Sequence, residues 1–299
     1  AGQTSDANDR SVHVFGAGSG IGTYVDKNDG DKTKINSSSG SVTCTTQVEL
    51  NGGTISGNIY GGGAMASVGP SKIGDKNEQH DASDSHKSFS KTQVDIKGGS
   101  VGGSVYGASR GPGDAYYESQ FTGQSLTYDK TKFATDIWSD VTVSGGTIGN
   151  NVYGGGQGGI VKESTTVSLT GGSVAHGAYG GCQGTKYIAA DIFGNTTIEL
   201  NKGKTASSNG CIVERIFGCN DLNGTPKGHA LVHVYATQHK NKETIGDKYA
   251  KFDSMEGGYS TTNYSGFTTL ATATGTNVTA YTDILSGSGT EDAKTEALA

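Results

Sequence analysis

The chain has 299 residues, a formal net charge of −6, and 50 Gly against 3 Pro. That length suits one elongated repeat domain or two compact ones, and a hydrophobic content of 32% suits a thin core better than a globular one. Arg10, Arg110 and Arg215 are the only arginines, so no basic face for nucleic acid is expected; Gly shows no collagen period, and no apolar run nears the ~18 residues of a membrane span.

Residues 1–11 are polar and read as a tail; a chain opening at Ala1 is what signal cleavage leaves, and also what a cropped piece looks like. Val12-x-Val14-Phe15-Gly16 reads as the end of a repeat whose beginning is missing, an incomplete first coil over 12–20. A polar insertion follows over 23–41, a hairpin turned at Asp29-Gly30. The first full unit, near 48–63, runs Val48-x-Leu50-x-Gly52-Gly53-Thr54-Ile55, then Ile59-Tyr60-Gly61. The frame returns near 94–109 (Val94, Ile96, Gly98-Gly99, Val105-Tyr106), near 141–156 (Val141, Val143, Gly145-Gly146, Val152-Tyr153) and near 167–182 (Val167, Leu169, Gly171-Gly172, Ala178-Tyr179). In all four, seven positions separate the second Gly from the Tyr. A degenerate fifth unit near 198–219 has Lys202-Gly203 for the Gly pair and Phe217 for the Tyr. After 234 the repeat is lost. Residues 235–299 read as a C-terminal cap or strand-exchange segment and tail, with strand-like alternation near 267–285.

A repeat of this kind predicts the fold before anything else. Val-x-Leu alternation is a short half-buried strand, Gly-Gly turns the chain through angles closed to other residues, and two further short strands complete the coil. One coil cannot bury its apolar side alone, so the coils must stack at ~4.8 Å. The expectation is an all-β, parallel β-solenoid over 1–234 with long inserted loops and a non-repeat C-terminal segment. The usual hand of parallel crossovers makes it a right-handed β-helix.

The phrase Gly52-Gly-Thr-Ile-x-Gly-Asn58-Ile-Tyr60-Gly-Gly-Gly63 resembles the Gly-rich repeats of large surface proteins of gut bacteria, Bacteroidetes above all. The resemblance covers roughly residues 12–234. It implies extracellular or cell-surface location and β-helical architecture, and it carries over no catalytic residue.

Two aromatic groups are candidates for binding. Phe15, Tyr60, Tyr106, Tyr153, Tyr179 and Phe217 recur once per coil. If Val152 and its equivalents face the core, these rings stack outward as a platform for sugar rings or a protein, or simply brace adjacent strands. The insertion 111–139 is the aromatic one, and Tyr116, Tyr117 and Trp138 are its candidate ligand-binding residues. His80, Asp81, Asp84 and His86 could hold a metal, but a surface loop of that composition is ordinary, and no metal site or cofactor is expected. Asp26-x-Asn28-Asp29-Gly30 lacks EF-hand spacing. Of the cysteines, Cys211 and Cys219 flank the degenerate unit and are the favoured pair.

Asp95 and Glu199 sit outward on the Val-x-Leu strand, but Thr142 and Ser168 lie between them. No carboxylate cluster forms, and no catalytic residue is expected. The expected function is therefore a non-enzymatic extracellular structural protein. It would self-assemble into a surface filament or array by head-to-tail strand addition, with itself as partner in a homopolymer. The alternatives are a cell-surface adhesin or glycan-binding module, with glycans or surface proteins as partners, and a polysaccharide lyase or hydrolase.

Overall fold

The computed structural model describes residues 12–20, 24–30, 32–34, 36, 38–69, 91–123, 127–204 and 210–236. The loop around His80, weighed above as a metal site and set aside, and the strand-exchange segment near 267–285 lie outside them. The chain divides into two units, Ala1–Glu199 with Cys211–His233, and Leu200–Gly210 with Val234–Ala299. In the second, Asn201 takes a left-handed backbone (φ 59°) and its amide donates to the carbonyl of Ala236 at 3.0 Å.

In the first unit the Val-x-Leu segments form β4 (Thr46–Leu50), β7 (Lys91–Ile96), the start of β11 (Trp138–Ile148) and the start of β14 (Thr165–Tyr179). These strands pair parallel, with Val48, Val94, Val141 and Val167 in one line. The Ile/Val-Tyr segments form a second parallel arm: β1 (Val14–Phe15), β6 (Ile59–Tyr60), β9 (Val105–Tyr106), β12 (Val152–Tyr153) and the end of β14. Between the arms lie β5 (Thr54–Ile55) and β8 (Ser100–Val101), which continue into the far part of β11. β15 (Thr196–Leu200), β16 (Ile212–Phe217) and β17 (Ala230–Val234) extend the ladders at the other end.

All thirteen strands belong to one sheet, whose continuous path is β1-β6-β9-β12-β14-β11-β7-β4. The expected open parallel β-solenoid is corrected here. Gly pairs were expected to break every coil into separate strands. Instead β11 and β14 run on through Gly145-Gly146 and Gly171-Gly172, with the second Gly of each pair bent at φ 77° and 74°. The bend absorbs the corner without ending the strand, and the register shifts there. The eight-stranded path therefore curls back until its ends nearly meet, like an almost closed parallel barrel. Thr46 at the start of β4 reaches across to donate its hydroxyl to the carbonyl of Gly61, just past β6, at 2.6 Å. Ser139 to Gly154 (2.5 Å) and Thr165 to Gly180 (2.6 Å) close the same gap further along.

The interior holds Val94, Ile96, Val141, Val143, Val167 and Leu169 from one arm, and Ile59, Val105, Val152 and Ala178 from the other. Val101, Ile148 and Val174 fill the middle. Such close packing is possible because the corner after each Tyr is Gly: a Cβ on Gly107 would stand 2.3 Å from the carbonyl oxygen of Gly154.

The insertions are separate small structures. β2 (Tyr24–Asp26) and β3 (Lys32–Lys34) form an antiparallel hairpin around a 3-10 turn, Lys27–Asp29, with Gly30 left-handed. The aromatic insertion carries a short helix, α1 (Asp114–Gln120), which the sequence reading did not foresee. β10 (Thr135–Asp136) pairs parallel with β13 (Ile160–Val161) outside the main sheet. None of the four cysteines is in a disulfide. The favoured Cys211–Cys219 pair fails because β16 runs extended between them, and at ~3.3 Å per residue it holds them far beyond disulfide reach.

Candidate functional site along the tyrosine row

Phe15, Tyr60, Tyr106, Tyr153, Tyr179 and Phe217 form one continuous stack, with ring centroids 4.7–5.0 Å apart. The alternation placed these rings outside if Val152 faced the core. In the structure Val152 and Tyr153 are both fully buried, as is Tyr60. The reason lies four residues beyond each ring, where the chain turns back over the Gly corner and covers the row. Tyr60 donates its hydroxyl to Gln157 Oε1 at 2.6 Å, Tyr106 to Gln183 Oε1 at 2.7 Å, and Tyr153 to Asp221 Oδ2 at 2.8 Å.

The opposite side of the row is held by the residue two before each Tyr. Asn58 Nδ2 donates to Tyr60 Oη at 3.0 Å while its Oδ1 accepts from the amide of Ser104 at 2.7 Å. Asn151 repeats this on Tyr153 (3.1 Å) and the amide of Gly177 (2.9 Å). Burial pushes the Tyr60 phenol up to about 12 and Tyr106 well above its ordinary value. Tyr153 is raised by burial and then by its bond to Asp221. The phenols therefore stay protonated donors at neutral pH.

The Tyr60 and Tyr153 hydroxyls are thus each clasped between an amide on one side and an acceptor on the other. The two half-buried rows, Asn58/Asn151 and Gln157/Gln183/Asp221, form polar rims on either side of the buried ring stack. Arg110 stands in the second rim, bridged in register to Gln157, and its charge acts on both Tyr60 and Tyr106. Arg215, in register with Gly177, stands in the first rim beside Tyr179. Sequence reasoning singled out the rings and missed both rims. The available signal was Asn two places before Tyr60 and Tyr153, and Gln or Asp four places after the later rings.

A second polar network lies inside. Asp136 is wholly buried and accepts from the Ser109 hydroxyl (2.7 Å) and the Ser109 amide (2.8 Å), while Ser109 Oγ accepts from the amide of Gly63 (3.0 Å). Nearby, Asn220 Oδ1 accepts from the amide of Cys182 at 3.0 Å and its Nδ2 donates to the carbonyl of Ala190 at 2.8 Å. Thr46, Thr92, Ser139, Thr165 and Thr196 add a line of buried hydroxyls. Burial raises the Asp136 carboxyl to about 7, against the pull of its Ser109 bonds.

The expectation of a non-enzymatic filament is corrected by these observations. A passive structural wall was expected to be Val, Gly and outward Thr. The nearly closed sheet instead encloses hydrogen-bonded Ser, Thr, Asn and Asp groups, an arrangement that resembles an active site and argues against a chain with no catalytic role. Head-to-tail strand addition rested on spare strands that lie outside the described residues.

Asp136 makes one prediction here. An acid whose folded value lies above its unfolded value of 3.8 favours the folded state while protonated. Stability should fall as pH rises from about 4 to about 7, by on the order of 4 kcal/mol for this group, and stay level above. Asp136→Asn should remove that slope in urea midpoints measured across the window. An unchanged slope would contradict the assignment.

The other predicted residues lie elsewhere. Tyr116 and Tyr117 on α1 pack with Tyr187 against a buried cluster of Phe121, Tyr128, Phe133 and Ile188. Tyr117 stacks on Tyr187 at 5.1 Å, and Tyr116 meets Phe121 edge-on at 6.2 Å. Trp138 opens β11 opposite Lys91 and is not part of that cluster. Among the described residues no group of three or more His, Cys, Asp or Glu is placed to hold a metal ion. No helix among them is long and apolar enough to cross a membrane, which leaves β-barrel spans unaddressed.

No family model, curated protein or solved structure matches the chain. The resemblance to bacterial surface repeats is corrected accordingly. It implied an open β-helical wall, and the single sheet that curls nearly closed does not have that form.

Proposed function

We propose that the chain acts on an extended polysaccharide lying along the polar rims of the tyrosine row, as a hydrolase or lyase. The observation that carries this reading is the repetition of a phenol-to-acceptor hydrogen bond along a stack with ring spacing of 4.7–5.0 Å. A row of repeated polar stations suits a polymer of similar units better than a single small molecule. Gln157 and Gln183 use their oxygens on the phenols, which leaves their amide N–H groups to meet sugar oxygens. Asp221 is the carboxylate bonded into the row, and through Tyr153 it is linked to Asn151. Such a linked carboxylate can accept and return a proton at a glycosidic bond placed beside it. The enclosed Ser109–Asp136 pair fixes the corner that carries Arg110.

The test is release of reducing ends from a panel of polysaccharides, with unsaturated ends measured in parallel to separate elimination from hydrolysis. Asp221→Asn is expected to lower turnover at least ~100-fold, the usual scale of a lost acid–base group, and to leave binding nearly intact. Tyr153→Phe should have a smaller effect in the same direction. Binding without turnover by the parent chain would return it to the glycan-binding reading. No binding and no turnover would end both.

A further inference from the structure

We infer that the buried tyrosine row is a one-electron redox site, which yields an electron to a strong oxidant and holds the resulting phenoxyl radical on Tyr153. The six rings stack face to face, with adjacent planes 5–19° apart and centroids 4.7–5.0 Å apart. Electrons pass readily between aromatic faces that close. The two ends of the row are Phe15 and Phe217, whose bare rings are far harder to oxidise than a phenol. The rings between them are Tyr60, Tyr106, Tyr153 and Tyr179, all buried. An electron vacancy in the row is therefore confined to those phenols. Tyr179 lies 5.0 Å beneath Phe217, which is 44% exposed, so an oxidant in solution reaches the row at that end.

The proton decides where the vacancy comes to rest. A phenol that loses an electron becomes a strong acid and must release its proton. Tyr60 and Tyr106 donate to the side-chain oxygens of Gln157 and Gln183, and a neutral amide is too weak a base to keep a proton. Tyr153 donates to Asp221 Oδ2 at 2.8 Å, and a carboxylate does keep it. Asp221 is fixed in place by its own amide, which donates to the carbonyl of Cys182 at 3.0 Å. In the oxidation the oxidant gains one electron and the Tyr153 O–H bond breaks. The proton moves along the hydrogen bond, leaving a neutral phenoxyl beside a protonated Asp221. A one-electron reductant of the ascorbate type returns the electron, and the proton goes back to Tyr153. Burial keeps the phenoxyl from meeting a second molecule, the coupling that ends an exposed tyrosyl radical. None of this depends on whether a glycan lies along the rims.

The experiment is flash oxidation of the full chain by a photogenerated ruthenium(III) polypyridyl, with the phenoxyl followed by absorption and by electron paramagnetic resonance. The parent is expected to give a short-lived population from exposed rings such as Tyr24 and a long-lived one from the row. Tyr153→Phe should remove the long-lived population with a melting curve near the parent's, because Phe already occupies both end places of the stack. Asp221→Asn keeps an acceptor oxygen but cannot keep the proton, so the long-lived radical should form on the order of 100-fold more slowly. Tyr24→Phe should leave the long-lived population intact. An unchanged long-lived signal in either of the first two variants, or a parent that gives short-lived radicals only, would overturn the proposal. Should Tyr153→Phe fail to fold, Asp221→Asn decides alone.

Discussion

Val143→Asp is expected to yield no folded protein. Val143 is fully buried, and its register partners are Ile96 on one side and Leu169 on the other. An aspartate there would face those side chains with no cation or donor in reach. The lost apolar burial costs about 2 kcal/mol, and an uncompensated buried charge adds several kcal/mol more. A domain holds only ~5–15 kcal/mol in total. The neighbouring Thr142 points to the other face, between Asp95 and Ser168, so Thr142→Asn should fold with an almost unchanged melting temperature. Circular dichroism and gel filtration of the two variants check the pair. A folded Val143→Asp protein would mean that this strand does not line the core.

The second large effect is expected from a change of one methyl group. Gly107→Ala would put a Cβ 2.2 Å from the Ser139 hydroxyl, 2.3 Å from the carbonyl oxygen of Gly154 and 2.8 Å from a methyl of Val141. Two of these neighbours are already bonded to each other, since Ser139 donates to Gly154 across the closing gap of the sheet. Neither can retreat without opening that closure. Overpacking of this kind costs about 1–3 kcal/mol and occasionally more; with a backbone oxygen in the way, the upper end is expected. Gly52→Ala is the matched control, because a Cβ there meets nothing within 4 Å. Chemical denaturation should separate the two by at least about 2 kcal/mol. Equal midpoints would contradict the close approach of the coils at that corner.

Much of the local structure was legible because its causes are local. Alternation at Val141-x-Val143 reports a face, and a Gly such as Gly146, at φ 77°, sits where a side chain would be strained. The parallel in-register lines of Val and of rings follow from the constant spacing between Gly and Tyr. The sheet's closure was not legible. It depends on whether a strand ends at a Gly pair or bends through it, and Gly permits both. The hydroxyls at Thr46, Ser139 and Thr165 recur two places before each Val, which was a readable signal for the closing bonds, but polar residues at strand starts pass easily for solvent-facing ones.

The site was half legible for a related reason. Rings recurring once per coil at one fixed place in the repeat are conspicuous. Their burial is not, because it comes from residues on later coils: Gln157 covers Tyr60, and Asp221 covers Tyr153. Asp136 could not have been placed at all. Nothing in Thr135-Asp136-Ile137 marks an inward carboxyl, and only its two bonds to Ser109, 27 residues earlier, explain it.

The most direct measurement is a crystal structure of the chain with an oligosaccharide that it binds. Density for consecutive sugar units is predicted along the rims of the tyrosine row from Tyr60 to Tyr179, with contacts to the amide nitrogens of Gln157 and Gln183 and to Asp221. Sugar bound elsewhere, for instance on the Tyr116, Tyr117 and Tyr187 cluster, with no sugar along the row, would contradict it.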